Sequence, residues 1–174
     1  ILDERYFTTL AFVDLSPEGE RTFSFARKPG ADTQITEKEL DMEILGNTKI
    51  FHVGSLSLTS EPARSTTFAA IKAAKSAGAV ISYDPNYRAT LWENVETAKR
   101  EMKSLIPFVD IMKISDEETE LLTDEKEPEQ AAKVLMGKGV KLVAVTLGKD
   151  GAYIANAEGG KRVPGFESNV VDTT

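Results

Sequence analysis

The chain has 174 residues, of which 41% are hydrophobic and 28% charged, enough for one compact domain with a buried core. A net charge of -7 argues against general nucleic-acid binding, which rewards a basic surface, but not against ATP, whose phosphates are held by local amides and one or two cations. There is no cysteine, so disulfides and thiolate metal sites are excluded and a reducing cytoplasm fits; no apolar run is long enough to span a bilayer and no signal peptide opens the chain.

Tyr6 to Asp14 is rich in aromatic and β-branched residues and predicts a strand. Ser16-Pro17-Glu18-Gly19 supplies turn chemistry, and Arg21 to Phe25 resumes, so a β-hairpin is the natural reading. Arg27 to Asp32 is a loop. Thr36 and Glu39 form a capping box that predicts a helix through about Leu45. Lys49 to Val53 predicts a strand, Ser65 to Ala77 a helix closed by Gly78, and Ala79 to Tyr83 the next strand. Glu93 to Leu105 reads as helix and Phe108 to Ile114 as strand. Ser115 and Glu118 form a second capping box at the start of a helix to Leu122, and Pro128 opens another that reaches Met136. Leu142 to Leu147 is a continuous apolar run, the type buried on both faces. A last hairpin turns at Glu158-Gly159-Gly160. Strand and helix alternate from Thr36 onward, which predicts an α/β fold with a mostly parallel sheet flanked by helices.

In open α/β sheets, ligands bind beyond the carboxyl ends of the strands. The residues there are Gly54-Ser55, Asp84 to Arg88, Ser115 to Glu118 and Gly148 to Gly151. Asp84 suits sugar hydroxyls, Asn86 both donates and accepts, and Arg88 suits phosphate oxygens. The same three residues also read as a polar turn built on Pro85 with Arg88 in water. Lys113, Ser115 and Glu118 sit at a strand-to-helix junction; Ser115 and Glu118 make a sound cap, yet a helix start attracts anions and a carboxylate there can hold hydrated Mg²⁺. Thr146, Gly148 and Gly151 place glycines where backbone could approach a flat ligand, or simply make a tight turn. Arg27 and Lys28 bring positive charge beside the hairpin and, as a loop pair, equally face water. His52, the one histidine, reads as a packing residue.

The order of these segments resembles the PfkB, or ribokinase-like, carbohydrate kinases, nearest their fructokinase branch. The matching stretches are F-S-F-A-R-K-P-G-A-D (Phe23 to Asp32), H-V-G-S-L (His52 to Leu56), D-P-N-Y-R (Asp84 to Arg88), K-I-S-D-E-E (Lys113 to Glu118) and T-L-G-K-D-G (Thr146 to Gly151). N-V-V-D-T-T (Asn169 to Thr174) looks like the lead-in to the family's D-T-T-G-A-G-D signature. The resemblance covers essentially the whole chain. It implies a doubly wound, ribokinase-like α/β sheet, with residues 1–35 as a hairpin of a small β lid and its connecting loop, and residues 36–174 as the nucleotide- and sugar-binding domain, truncated at its C-terminus.

The activity implied is transfer of the ATP γ-phosphoryl group to a sugar hydroxyl, with ATP and Mg²⁺ as cofactors and a monovalent cation left open. Carried over by motif, Arg27, Asp84, Asn86 and Arg88 fall on the sugar side. Lys113, Ser115, Thr146, Gly148 and Gly151 fall on the nucleotide side, and Glu118 on the metal. Ser115 departs from the asparagine usual at its position, which puts its part in the metal network in doubt. The catalytic base is expected just after Thr174, so the chain alone is expected to be inactive. A cytoplasmic homodimer joined through the lid is also implied, with no nucleic-acid or membrane partner. Rival acceptors within the family are ribose, 2-keto-3-deoxygluconate and nucleosides. A non-catalytic α/β sugar-binding protein is the rival from another class, and no G-x-G-x-x-G fingerprint supports a dinucleotide enzyme.

Overall fold

A computed structural model of the chain describes residues 3–15 and 21–167. The predicted turn at Ser16 to Gly19 and the Asn169 to Thr174 motif lie outside the described residues. Two segments of alternating character, Leu10–Leu15 (β1) and Arg21–Ala26 (β2), pair antiparallel, with Phe12 opposite Ser24 and Val13 opposite Phe23. The strand begins at Leu10 rather than Tyr6. The Phe7 carbonyl is committed elsewhere, accepting the Ala31 N–H at 2.9 Å, so the residues before Thr9 tie down the hairpin base instead of extending the ladder.

The capping box at Thr36 and Glu39 forms, but it opens only a single 3-10 turn, Glu37–Glu39. Leu40 is extended, and Asp41 recaps the chain by accepting the Ile44 N–H at 2.9 Å at the start of α1, Met42–Asn47. The competing cap splits the one helix expected here. The remaining elements follow in the predicted order: β3 Ile50–Gly54, α2 Ala63–Ser76, β4 Val80–Asp84, α3 Val95–Leu105, β5 Ile111–Ser115, α4 Asp116–Thr123, α5 Pro128–Gly137, β6 Leu142–Thr146, β7 Ala152–Asn156 and β8 Gly159–Val163.

Strands β3 to β8 form one sheet in sequential order; β3 to β6 run parallel, and β7 and β8 are antiparallel. Sequential order with right-handed crossovers carries the connecting helices to the same face. Burial follows from that. Ile81, Tyr83, Met112, Ile114, Val143 and Val145 share the fully buried core with Met102, Leu105, Leu122 and Leu135 of the helices. Ser82, Lys113 and Ala144, pointing the other way, are half-buried. The apolar run of β6 is therefore covered on one face and half-covered on the other, not equally on both.

At the amino ends of the strands, Asp110 acts as a staple. Its carboxylate accepts the Ile81 N–H at 3.0 Å and pairs with Lys141 at 2.9 Å, and its carbonyl accepts the Lys141 and Leu142 N–H groups at 2.8 and 3.1 Å. Burial pushes the Asp110 carboxyl up, but the Ile81 N–H, Lys141 and Lys75 outweigh burial and hold it below the ordinary carboxylate range. A lowered native value means the contribution is complete above the unfolded value of about 3.9 and is lost as pH falls through the native one. Asp110→Asn should cost about 1.5–3 kcal/mol near neutral pH and flatten the acid limb of stability. Urea midpoints between about pH 6 and about pH 3 report this, and a mutant with an unchanged acid limb would remove Asp110 from its cause.

Candidate active site

The carboxyl ends of β3 to β6 lie side by side, and hydrogen bonds link their loops into a continuous rim. The Ser55 N–H, following β3, donates to the Pro85 carbonyl at 3.2 Å. The Tyr87 N–H, following β4, donates to Glu118 Oε1 at 2.7 Å, while the Ser115 N–H donates to Glu118 Oε2 at 2.8 Å. Ser115 in turn lies in register with Thr146, whose hydroxyl donates to the Ile114 carbonyl at 3.4 Å. Four loops separated by many residues are thus neighbours because the strands are.

Glu118 is the hinge-pin of this rim. It closes the predicted capping box with Ser115, and its residue is 5% exposed. Each carboxylate oxygen takes one backbone N–H, from two different loops, so the group fixes the start of α4 and the loop after β4 together. The Asp84–Arg88 loop is further shaped by Asn86, whose φ of 48° lies in the left-handed region that asparagine tolerates better than most side chains. The Asp84 Oδ1 supports that turn by accepting the Asn86 N–H at 3.2 Å, and Lys113 Nζ pairs with Asp84 Oδ2 at 3.2 Å. Burial, and after it the negative charges of Glu118 and Asp84, push the Tyr83 phenol far above its ordinary range, so Tyr83 is a neutral packing residue beneath the rim.

Arg88 is half-buried, and its Nη1 donates to the Tyr87 carbonyl at 2.9 Å. Arg27 is placed differently. Its residue is 8% exposed, and its guanidinium is taken up by Asp32 at 2.7 and 2.8 Å, the Thr59 hydroxyl at 2.7 Å and the Leu56 carbonyl at 2.8 Å. Those contacts anchor the base of the β1–β2 hairpin to the segment after β3. They do not join Arg27 to the cluster of Asp84, Asn86, Arg88, Lys113, Ser115, Glu118 and Thr146. Arg27→Met should lower stability by about 2 kcal/mol through loss of its bonds to Asp32, Thr59 and the Leu56 carbonyl, a cost limited because Asp32, 46% exposed on its side chain, regains water. Urea denaturation checks this, and a mutant as stable as the parent would contradict it.

The two glycines of the Thr146–Gly151 turn also differ. Gly148 has a φ of 56° with open space where a Cβ would point, whereas Gly151, at φ 93°, is crowded by the Val163 carbonyl. Gly148 leaves the rim open to a ligand; Gly151 is required by the close pass of the chain after β8.

Sequence reasoning placed Ser55 at a strand end but gave it no role: its hydroxyl, fully buried, has no hydrogen-bond partner among the described residues. It lines a cavity of about 300 Å³ together with His52, Ser57, Asp84 and Asn86. Only the position of Ser55 directly after a strand could have pointed to it. Among the described residues no group of three or more His, Cys, Asp or Glu side chains could cage a metal, and no helix is long and apolar enough to cross a membrane.

A rim of this kind gathers a half-buried guanidinium, an amide-bound carboxylate and an open glycine turn at adjacent strand ends, and is the candidate ligand site. The chain belongs to the pfkB family of carbohydrate kinases, whose family model matches residues 2–174. It is 44% identical over 169 residues to "Probable fructokinase-6, chloroplastic" of Arabidopsis thaliana, covering 96% of this chain and 44% of that protein. It is 43% identical over 175 residues to Fructokinase-2 of Oryza sativa subsp. japonica, covering 100% of this chain and 52% of that protein. The fold is ribokinase-like, with the two-stranded sheet standing apart from the mixed, mostly parallel one. A fructokinase from Vibrio cholerae O395, solved in fructose, ADP and calcium ion bound form, superposes with a TM-score of 0.86 at 33% identity, over 99% of this chain and 55% of that one. The chain spans about half the length of the relatives it matches.

Proposed function

We propose that the polypeptide carrying this chain transfers the γ-phosphoryl group of ATP to a sugar hydroxyl, with fructose as the acceptor. The observation that carries this reading is the hydrogen-bonded rim itself, which holds Arg88, Glu118, Ser115 and Thr146 on consecutive strand ends. Phosphoryl transfer asks mainly for positioning and charge stabilisation, and a rim of fixed backbone amides with a half-buried arginine suits both. On this reading Asp84 and Asn86 face sugar hydroxyls, and Arg88 meets the oxygens of the transferring phosphate. Ser115, Thr146, Gly148 and Gly151 border the nucleotide.

Mg²⁺ is the ion we assign to the reaction. Its fit rests on the chemistry of Glu118, whose two oxygens already accept amides and keep lone pairs for ordered water; that suits an ion which retains its hydration shell and binds chiefly through substrate phosphates. When bound with ATP the ion supplies charge neutralisation on the phosphates. Calcium and potassium are named with fructose and ADP in two Vibrio cholerae structures, and ATP in a Xylella fastidiosa one; a monovalent cation remains part of the proposal here.

Residues 1–35 act as lid and connector, and residues 36–174 as the binding body. Homodimer formation through the lid is supported by the exposure of Leu10, Phe12, Val13 and Leu15 along β1 and by the stacked Phe23 and Phe25 rings, 6.2 Å apart. We place the protein in the cytoplasm, although one of its relatives is named chloroplastic.

The test is a phosphorylation screen of the intact polypeptide with fructose, glucose, ribose, 2-keto-3-deoxygluconate and a nucleoside. Fructose should give the highest kcat/KM. An aminoimidazole riboside kinase from Salmonella enterica also superposes at a TM-score of 0.75, which keeps ribosides in the screen. Absence of ATP turnover with every acceptor would overturn the kinase reading.

A further inference from the structure

Of the residues on the rim, Lys113 has a role that its position in the chain does not suggest. It lies on β5, one residue beyond the Tyr83–Met112 register pair, and so stands beside Asp84 at the end of β4. Its Nζ is 3.2 Å from Asp84 Oδ2 and 3.5 Å from Oδ1. The same Oδ1 accepts the Asn86 N–H that closes the left-handed turn. One residue further, the Tyr87 N–H is held by Glu118. The loop that ends in Arg88 is therefore gripped twice from the β5–α4 junction, once by Lys113 through Asp84 and once by Glu118.

We propose that Lys113 is a positioning residue: by holding the Asp84 carboxylate it sets the Asn86 turn and with it the direction in which Arg88 is presented. The inference rests on the proposed kinase reading for what Arg88 does, but not for the grip itself. Three features favour positioning over direct contact with a nucleotide. The ammonium already has a carboxylate partner within ion-pair distance. That partner is joined to the backbone of a turn in a sparsely populated conformation, which persists only where its surroundings hold it. Both members are partly covered, with side chains 41% and 29% exposed.

The test combines kinetics with amide exchange on the intact polypeptide. In Lys113→Met, kcat should fall about fivefold, the size expected for losing a half-exposed ion pair, while KM for ATP stays within about twofold of the parent. Lys113→Arg, which keeps the charge, should recover most of the loss. In an Asp84→Asn background, Lys113→Met should add less than about twofold, because the pair is already broken. A raised KM for ATP in Lys113→Met, or effects that multiply in the double mutant, would overturn the proposal in favour of direct nucleotide contact. Hydrogen exchange at the Asn86 amide, which donates to Asp84 Oδ1, reads the grip without any turnover. It should quicken about fivefold in Lys113→Met and Asp84→Asn but not in Lys113→Arg. Unchanged exchange would overturn the positioning role even in an active enzyme. Quickened exchange in a protein that phosphorylates no sugar would uphold the grip while removing the kinase reading.

Discussion

Glu118→Ala should be the most destabilising single substitution on the rim, costing about 3–5 kcal/mol in urea denaturation of the intact polypeptide. The carboxylate is almost wholly buried, and its two oxygens accept N–H groups from Tyr87 and Ser115 at 2.7 and 2.8 Å. Hydrogen bonds to a charged acceptor contribute about 1.5–3 kcal/mol each, and alanine removes the acceptor from both donors at once. Glu118→Gln should cost roughly half as much. Its amide oxygen can accept one N–H, but its NH₂ group must then face the other donor. The loss should reach function as well as stability, since the same two bonds register the Arg88 loop against the start of α4. A Glu118→Ala protein of parental stability would mean that these bonds do not hold the rim together.

Arg88→Met should show the opposite profile, with kcat/KM reduced about 10²–10³-fold and thermal stability unchanged. Removal of one pre-positioned donor to developing negative charge typically has that effect on rate. The structural reason for expecting no loss of stability is that Arg88 is half-buried and its hydrogen bond to the protein is a local one, from Nη1 to the neighbouring Tyr87 carbonyl. Arg88→Lys keeps the charge but not the planar fork, and should retain about a tenth of the parental kcat/KM. A parallel drop in melting temperature would instead make Arg88 an anchor of the fold, and the assignment of its guanidinium to phosphate would fall.

The contrast between these two arginines shows where reading the chain alone reaches its limit. Arg27 and Arg88 each stand in a loop beside turn residues, and each matches a stretch of the same family. Only the tertiary structure shows that Arg27 is enclosed by Asp32, Thr59 and the Leu56 carbonyl, while Arg88 is left with capacity to spare. Local chemistry was legible wherever it was local. The Ser115–Glu118 box, the Gly78 stop with φ 90° and the Pro128 helix start all rest on contacts within a few residues, and all are present.

Competition between neighbouring signals was harder to see. The Thr36–Glu39 box is real, yet Asp41 offers a second cap a few residues later and the chain uses both. Pairs made by parallel register were not legible at all. Asp84 and Lys113 are 29 residues apart and become partners only because β4 and β5 lie adjacent. The placement of the rim was readable nonetheless, because it needs only the strand ends and the sequential alternation of strand and helix.

One ligand should occupy that rim. A crystal structure of the intact polypeptide grown with fructose and ADP should place the terminal phosphate of ADP between the Arg88 guanidinium and the start of α4, with the adenosine running past Thr146 and Gly148. Nucleotide bound on any other face, with these strand ends left to solvent, would contradict it.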